Sequence, residues 1–79
     1  MDINSATDLL KIALQEKVKV YITDGSEIIG QLIAYDEQQN LVLKNATTKY
    51  LGIEKHFQTL FIRANNLKFL SKLDLSKEM

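Results

Sequence analysis

The segment from Lys17 to Leu43 constrains the fold of this chain more than any other stretch of its 79 residues. At its start, apolar residues alternate with lysine and tyrosine, so that Val18, Val20 and Ile22 would all point to one side. A period of two is typical of a β-strand with one buried face, whereas a surface helix repeats its apolar residues every three or four positions. The segment therefore predicts that a half-buried strand begins at Lys17.

A tight turn and a second strand follow directly. The sequence Thr23-Asp24-Gly25-Ser26 predicts a hairpin turn, because Asp and Gly tolerate the positive φ that such turns require. The stretch Glu27 to Tyr35 is apolar on both faces, with one set formed by Ile28, Leu32 and Ala34 and the other by Ile29, Ile33 and Tyr35. Gly30 interrupts this strand, and a mid-strand glycine often marks a bend or a bulge. A strand bent at Gly30 can serve a core with each half, which is how small barrels close.

A short helix is predicted before the first strand. Ser5 is a candidate N-cap, and Asp8 three residues later completes a capping box. The apolar residues that follow form a stripe at helical spacing: Leu9, Leu10, Ile12 and Ala13. We predict a helix over about 6–15. Since isolated helices of this length are marginal in water, it must dock on the rest of the protein.

Three further strands are predicted in the second half of the chain. The third begins at Leu41 and continues to Leu51, with a kink at Asn45-Ala46. The fourth covers Gln58 to Arg63 and the fifth Leu67 to Leu70, with Ala64-Asn65-Asn66 as the connection between them. All three are rich in the branched and aromatic residues that strands favour.

Together these elements predict a mostly β protein, in which a short N-terminal α-helix precedes a five-stranded, strongly bent antiparallel open barrel. A chain of 79 residues has room for one hydrophobic core, so we expect a single domain over 1–79. The barrel would span about 17–72, and the charged C-terminal tail, 74–79, is expected to fray.

The composition argues against several classes of protein. Ten basic and ten acidic residues cancel, which disfavours a stand-alone nucleic-acid binder that relies on neutralising phosphates. The chain has no cysteine, so disulfides and thiolate metal sites are excluded. No apolar stretch approaches the ~20 residues of a membrane span, and the N-terminus lacks the regions of a signal peptide. We therefore expect a soluble protein of the nucleus and cytoplasm, with no membrane association.

The last two predicted strands carry more large apolar residues than one small core can bury. Both alternating sets are apolar, and the residues in question are Phe57, Leu60, Phe61 and Phe69. Long apolar edge strands are normally avoided unless something pairs with them. This pattern predicts assembly of subunits by strand addition through the fourth and fifth strands.

Polar side chains cluster in the tight connection between the second and third strands. Asp36, Gln38 and Asn40 stand there at alternate positions. A side-chain amide offers both a donor and an acceptor to the edge of an unpaired base. Farther along, Arg63 ends the fourth strand, and a guanidinium plane can stack on a base. The combination indicates RNA binding rather than catalysis.

Simpler interpretations of the same residues stay open. Asp36 and Asn40 are also typical turn residues that satisfy their own backbone, and Gln38 fits a solvated loop. Arg63 fits a surface charge with a rim ion pair. His56 has no second ligand or triad partner at a suitable spacing, so we interpret it as a loop residue. We expect no catalytic residue, no metal site and no cofactor, because a nucleophile–base pair, a ligand cluster and a phosphate loop are all missing from the sequence.

The order of these features resembles the Sm and Sm-like family over about residues 6–71. The first motif of that family is matched by Val18, Val20, Asp24, Gly25, Gly30, Leu32, Asp36, Asn40, Leu41 and Leu43. The second is matched by Leu60, Phe61, Ile62, Arg63 and Leu67. Within the family, the chain is most similar to the branch of Sm-like protein three, the counterpart of the Sm D-two protein.

The resemblance implies a seven-membered ring of Sm-like subunits that binds uridine-rich single-stranded RNA at its central hole, in pre-mRNA splicing or mRNA decay. Carried to this sequence, Asp36 would orient the first loop, and Gln38 would contact a base. Asn40 would bond the base edge, and Arg63 would close the other side. Asn65, in the second loop, completes the expected RNA-binding set.

Two positions depart from the family pattern. Gln38 stands where aromatic or histidine side chains are common, which predicts weak stacking there. Ala64 stands where glycine is usual, and a positive φ at that site would strain an alanine by roughly 1 kcal/mol. Three functions therefore remain in view: an RNA-binding subunit of a hetero-oligomeric ring, a structural subunit with little base contact, and a homo-oligomeric RNA-binding ring.

Overall fold

The computed structural model describes residues 6–73, with side chains from Leu10 onward. The fold class predicted from the sequence is confirmed: a short helix precedes five antiparallel strands in a bent, unclosed sheet. The elements are α1 (Ala6–Ala13), β1 (Lys17–Ile22), β2 (Glu27–Tyr35), β3 (Leu41–Tyr50), β4 (Ile53–Ile62), a 3-10 turn (Ala64–Asn66) and β5 (Leu67–Lys72). The predicted cap at Ser5, the side chain of Asp8 and the tail 74–79 lie outside what is described.

The strands follow the order β4-β3-β2-β1-β5, and each neighbouring pair is antiparallel. The outermost strands, β4 and β5, are consecutive in sequence and joined by the 3-10 turn. The chain thus returns from one edge of the sheet to the other through a four-residue connection, Arg63 followed by the 3-10 turn. Such a short link requires the two edges to approach one another, so the sheet curls toward a barrel without closing.

The core lies inside the curl, and α1 contributes to it. The buried apolar residues are Leu10, Ala13, Val18, Val20, Ile28, Leu32, Leu41, Leu43, Ala46, Ile62 and Leu70. The helix ends at Ala13, two residues before the predicted end, because Gln15 adopts a left-handed conformation with φ of 71°. The Gln15 N–H then donates to the carbonyl of Leu32 (2.6 Å), and the Leu32 N–H donates to the carbonyl of Glu16 (3.0 Å). These bonds fix the helix against β2.

Two bulges bend the central strands. Gly30 of β2 lies opposite two residues of β3, Asn45 and Ala46, and Asn45 has a φ of 52°. The predicted roles of Gly30 as a bend and of Asn45-Ala46 as a kink therefore belong to one feature. A second bulge lies at Ile33 of β2. Leu32 pairs with Leu43 of β3 and Ala34 pairs with the adjacent Val42, so Ile33 is an extra residue without a partner on β3.

The second bulge corrects one prediction about the faces of β2. The alternation of the sequence places Ala34 on the same face as the buried Leu32, but Ala34 is exposed. The extra residue at Ile33 reverses the alternation, so Ala34 turns outward and Tyr35 packs against the core instead.

The hairpin between β3 and β4 begins β4 five positions earlier than predicted, at Ile53 instead of Gln58. Leu51 and Gly52 form its two-residue turn, with φ of 51° and 80°. A two-residue turn with positive φ at both positions matches the twist of the two flanking strands, which makes it a favoured connection in β-hairpins. The strand β4 consequently pairs with β3 along its whole length, while its other edge meets no strand among the described residues.

The large apolar residues of the edge strands divide as expected between the core and a second surface. Leu60 packs against the core, whereas Phe57, Phe61 and Phe69 are 37%, 73% and 55% exposed. The ring of Phe69 stacks on Tyr21 of β1, with centroids 4.8 Å apart. Much of the apolar surface on β4 and β5 is therefore outside the domain's own core.

Candidate nucleic-acid interface

The loop between β2 and β3 is a three-residue hairpin connection. The Asp36 N–H donates to the Asn40 carbonyl (3.2 Å), and the Gln39 N–H donates to the Asp36 carbonyl (2.9 Å). The turn from Ile22 to Ser26 is closed in the same way: the Ile22 N–H donates to the Ser26 carbonyl (3.0 Å), and the Gly25 N–H donates to the Ile22 carbonyl (2.9 Å). In each turn the residue before the last has a positive φ, which is 96° at Gly25 and 69° at Gln39. The loop is therefore a defined turn in which glutamine occupies a position suited to glycine.

Asp36 holds this loop from within. Its carboxylate accepts one hydrogen bond from the Asn40 backbone N–H and one from the Asn40 side-chain amide, both of 2.9 Å. These bonds favour the ionised form, and they lower the pKa of Asp36 below its usual 3.8, the side-chain bond contributing most. An ionised Asp36 thus fixes both the backbone and the side chain of Asn40.

Asn40 joins the two predicted site loops. Its side-chain Oδ1 accepts a hydrogen bond of 2.7 Å from the backbone N–H of Ala64, at the start of the 3-10 turn. The sequence-based expectation that the two loops meet is therefore correct. An amide has two N–H donors and two acceptor positions, so one donor and one acceptor position of Asn40 remain for another molecule.

Arg63 enters the site from the end of β4. Its backbone is extended, with φ of −76° and ψ of 140°, and the Asn66 N–H closes the following turn on the Arg63 carbonyl (3.0 Å). The side chain is exposed. Among the residues that the structure describes, the ion pair that forms joins Lys19 to Glu27 (3.2 Å) and does not involve Arg63. The alternative interpretation of Arg63 as a member of a rim ion pair is therefore not supported within this part of the chain.

A shallow cleft of about 420 Å³ brings three of the five predicted site residues together. Asp36, Asn40 and Arg63 line it. The remaining lining residues are Ala34, Tyr35, Leu41, Val42, Phe61 and Ile62. Gln38 and Asn65 are exposed and do not line the cleft. Its lining thus combines an apolar floor with a cation, a carboxylate and an amide, the set of groups that a nucleotide base and its phosphate can contact.

Ala64 carries no backbone strain, contrary to the expectation raised by its departure from glycine. It begins a 3-10 turn, and positive φ among the described non-glycine residues occurs elsewhere, at Gln15, Gln39, Asn45 and Leu51. Its N–H is the donor to Asn40. A backbone donor requires no particular side chain, which explains how alanine serves at this position.

Sequence reasoning missed Phe61 as a site residue. The sequence places it in the second family motif and on the apolar surface of the fourth strand but outside the expected RNA-binding set, although it stands two positions before Arg63. Because side chains alternate along an extended strand, residues two apart share a face, and this signal was available.

The described residues contain no group of three or more histidine, cysteine, aspartate or glutamate side chains able to hold a metal ion. In the same part of the chain, no helix has the length and apolar character needed to cross a membrane.

Comparison with known proteins places this geometry in a family. Residues 8–72 match the family model described as the LSM domain. A curated relative, the LSM complex subunit lsm3 of Schizosaccharomyces pombe, is 34% identical over 74 residues, covering 76% of this chain and 80% of the relative. The expected resemblance to the Sm and Sm-like family is thereby confirmed, and a subunit-three protein is among the relatives.

Solved structures agree with the sequence comparison. The Sm protein of Pyrococcus abyssii, whose structure was determined in complex with a uridine heptamer, is 30% identical, with a TM-score of 0.82 over 89% of this chain and 100% of that protein. A heptameric archaeal Sm protein is 29% identical, with a TM-score of 0.76 over 84% of this chain and 97% of that protein. The helix, the five bent strands and the two linked loops described above are thus those of an Sm fold, and the chain belongs to the LSM domain family.

Proposed function

We propose that this chain is an RNA-binding subunit of a heptameric ring of Sm-like proteins, and that it holds one uridine of a uridine-rich single-stranded RNA. The bond between the Asn40 side chain and the Ala64 backbone supports this proposal most, since it holds two loops from different parts of the chain as one site. Arg63 adjoins that bond in sequence and lines the same cleft. The similar protein from Pyrococcus abyssii was solved with a uridine heptamer.

Recognition of uracil would use the free half of the Asn40 amide. Uracil presents both acceptors and a donor on its pairing edge, and one remaining N–H and one remaining acceptor position of the amide complement them. Arg63 would pack on the base or contact its phosphate. Asp36 would act indirectly, by holding Asn40 in the orientation that exposes its free half.

Assembly would proceed through the edges of the sheet. The strands β4 and β5 each pair on one side only, so each presents a row of backbone donors and acceptors. Beside β4 lies a groove of about 460 Å³ whose lining includes Ile22, Ile28, Tyr50, Ile53 and Phe57. We propose that β5 of a neighbouring subunit pairs with β4 and covers this groove. Repeated head-to-tail, that contact closes a ring.

Two arrangements of the ring compete. A hetero-oligomer acting in pre-mRNA splicing or mRNA decay, in nucleus and cytoplasm, is favoured by similarity to a subunit of an LSM complex. A homo-oligomeric ring is favoured because one chain carries both edges and similar archaeal proteins include a heptamer. Native mass spectrometry of the purified chain separates them: a mass near seven copies indicates a homo-oligomer, and smaller species that grow only with other Sm-like subunits indicate a hetero-oligomer.

The RNA-binding role is tested by titration of oligouridine against the assembled particle. We expect Asn40→Ala and Arg63→Ala each to weaken binding by about 1–3 kcal/mol per base contacted, because each removes a base contact. Lys44→Ala is the matched control for charge, since Lys44 is exposed on β3 and outside the cleft.

Parental affinity for oligouridine in both site variants, with the particle intact, would contradict this role. The chain would then be a structural subunit that completes the ring without contacting a base.

A further inference from the structure

We propose that Phe61 is the stacking surface for the base in this cleft, in place of Gln38. This inference rests on the proposed function and adds to it a residue that the expected RNA-binding set does not include. The family pattern places the stacking side chain at the position of Gln38, in the loop between β2 and β3. In this chain, Phe61 of β4 would supply that contact.

Phe61 is exposed in a way that demands an explanation. Its side chain is 73% exposed, although phenylalanine is among the residues most often buried. It lines the cleft together with Asn40 and Arg63, and it also lines the groove beside β4, so base stacking and contact with a neighbouring subunit are the two roles to be separated. Since the backbone stays extended through Arg63, Phe61 and Arg63 project from the same face of β4.

The floor beside Phe61 is flat and apolar. Phe61 pairs with Val42 of β3, and Val42 pairs with Ala34 of β2, so the three side chains form one row across the sheet. The bulge at Ile33 is what turns Ala34 outward into this row. Ala34, with only a methyl side chain, lines the cleft together with Phe61 and Val42.

The row ends at polar groups suited to a nucleotide. Asn40 and Asp36 line the same cleft, and Arg63 follows Phe61 by two residues along the chain. Base–aromatic stacking is a main source of affinity in single-strand binding, and it tolerates a chain without net charge. Gln38 is exposed outside the cleft lining, so it does not offer a competing stacking surface there. The ligand is therefore a planar pyrimidine, with its edge toward Asn40 and its face on Phe61.

The chain provides its own spectroscopic test, because it contains no tryptophan. In the variant Phe61→Trp, the single indole reports directly on stacking. We expect its fluorescence to be quenched when oligouridine is added to the assembled particle, and to saturate with the same affinity as a direct titration. The matched control is Ile12→Trp, at an exposed side chain of α1 outside both this cleft and the groove beside β4, which should show no quenching.

A substitution series separates stacking from simple apolar contact. Phe61→Ala and Phe61→Leu should weaken oligouridine binding by about 5- to 150-fold per base contacted, the range for loss of one stacked base, whereas Phe61→Tyr should retain it. Native mass spectrometry of each variant accompanies the titration. If Phe61→Ala or Phe61→Leu breaks the particle into smaller species, Phe61 is an assembly contact, and the stacking role is overturned.

The outcomes distinguish this inference from the proposed function on which it rests. Weak binding in Arg63→Ala, with parental affinity in Phe61→Ala and no quenching in Phe61→Trp, overturns the stacking role and leaves the RNA-binding function standing. Parental affinity in Arg63→Ala, Asn40→Ala and Phe61→Ala together contradicts both.

Discussion

At the scale of single residues, half of the hydrogen-bonding capacity of the Asn40 side chain holds the site together. Asn40 uses one donor on Asp36 and one acceptor position on Ala64 before any ligand is present. Preorganised side chains lose less conformational freedom on binding than mobile ones. The interpretation of Asp36 and Asn40 as turn residues that satisfy their own backbone is therefore compatible with the proposed RNA binding.

The carboxylate of Asp36 makes the first loop sensitive to acid. Its pKa is lower in the folded protein than the usual 3.8, so it stabilises the fold above pH 3.8, and this contribution disappears as the pH falls through the lower folded value. Asp24 behaves alike, because the Ser26 hydroxyl and backbone N–H lower its pKa. We expect the free energy of unfolding to decrease below about pH 4, and less steeply in Asp36→Asn.

Chemical denaturation at a series of pH values measures this effect. The exposed neighbour substitution Glu37→Gln is the control and should keep the parental slope. An identical pH dependence in Asp36→Asn and the parent would show that the hydrogen bonds to Asn40 contribute nothing to stability.

Gln39 offers a site for stabilisation. Its φ of 69° is readily adopted by glycine and strained for glutamine. We expect Gln39→Gly to raise the free energy of unfolding by about 0.5–1 kcal/mol, because relief of that strain exceeds the entropy cost of an added glycine. Gln38→Gly lacks the positive φ and should lower stability instead. Thermal unfolding of both variants tests these two expectations. A loss of stability in Gln39→Gly would contradict the backbone strain assigned to Gln39.

At the scale of elements, the bulge around Gly30 sets the curvature of the sheet. A Cβ atom on Gly30 would lie 3.1 Å from the Cα and Cβ atoms of Ala46 and 3.2 Å from the Lys44 carbonyl. Backbone and a methyl group cannot swing aside as a long side chain can. Close packing of β3 on β2 therefore requires a glycine at this position.

We expect Gly30→Val to lower the free energy of unfolding by about 1–3 kcal/mol, because its branched side chain would force β3 away from β2. Gly30→Ala should lie between the parent and the valine variant. Thermal or chemical unfolding measures the series, and an unchanged melting temperature for Gly30→Val would show that the two strands part without cost.

Elements whose bounds follow from the alternation of apolar residues or from turn residues were predicted well from the sequence. Elements whose bounds depend on the backbone conformation of residues without such a signal were not. The bounds of β2 and the turn at Gly25 follow from alternation and turn chemistry. The start of β4 at Ile53 depends on positive φ at Leu51, a residue type that gives no turn signal. The bulge at Ile33 has no signal in the side-chain pattern, because both faces of β2 are apolar, so the exposure of Ala34 could not be foreseen.

The same division applies to the site. Asp36, Asn40 and Arg63 were found because their residue types and spacing match a motif, and they do line one cleft. Their mutual bonds required knowledge of how the sheet curls, since Asn40 and Ala64 are 24 positions apart. Phe61 is missing from the RNA-binding set expected from the sequence, because the large apolar residues of the last two strands are explained there by subunit assembly.

At the scale of the whole molecule, the exposed side chains of Phe57 on β4 and Phe69 on β5 are explained by the proposed assembly. Ile62 of β4 is 5% exposed and belongs to the domain's own core. We expect Ile62→Asp to unfold the domain, since it places a charge among apolar side chains. Phe57→Asp, at a side chain 37% exposed beside the groove, should leave the fold intact and shrink the particle.

Circular dichroism and size-exclusion chromatography together distinguish folding from assembly in these two variants. A particle of unchanged size in folded Phe57→Asp would contradict the proposed contact between β4 and a neighbouring β5.

The most direct measurement of RNA recognition by this chain is ultraviolet crosslinking of oligouridine to the assembled particle, with the crosslinked peptides identified by mass spectrometry. We expect crosslinks within the loop 36–40 and within the segment 61–65, both lost in Arg63→Ala while the particle stays intact. Crosslinks confined to other parts of the chain, or to neighbouring subunits alone, would contradict the conclusion that this chain holds a base in the cleft between its two loops.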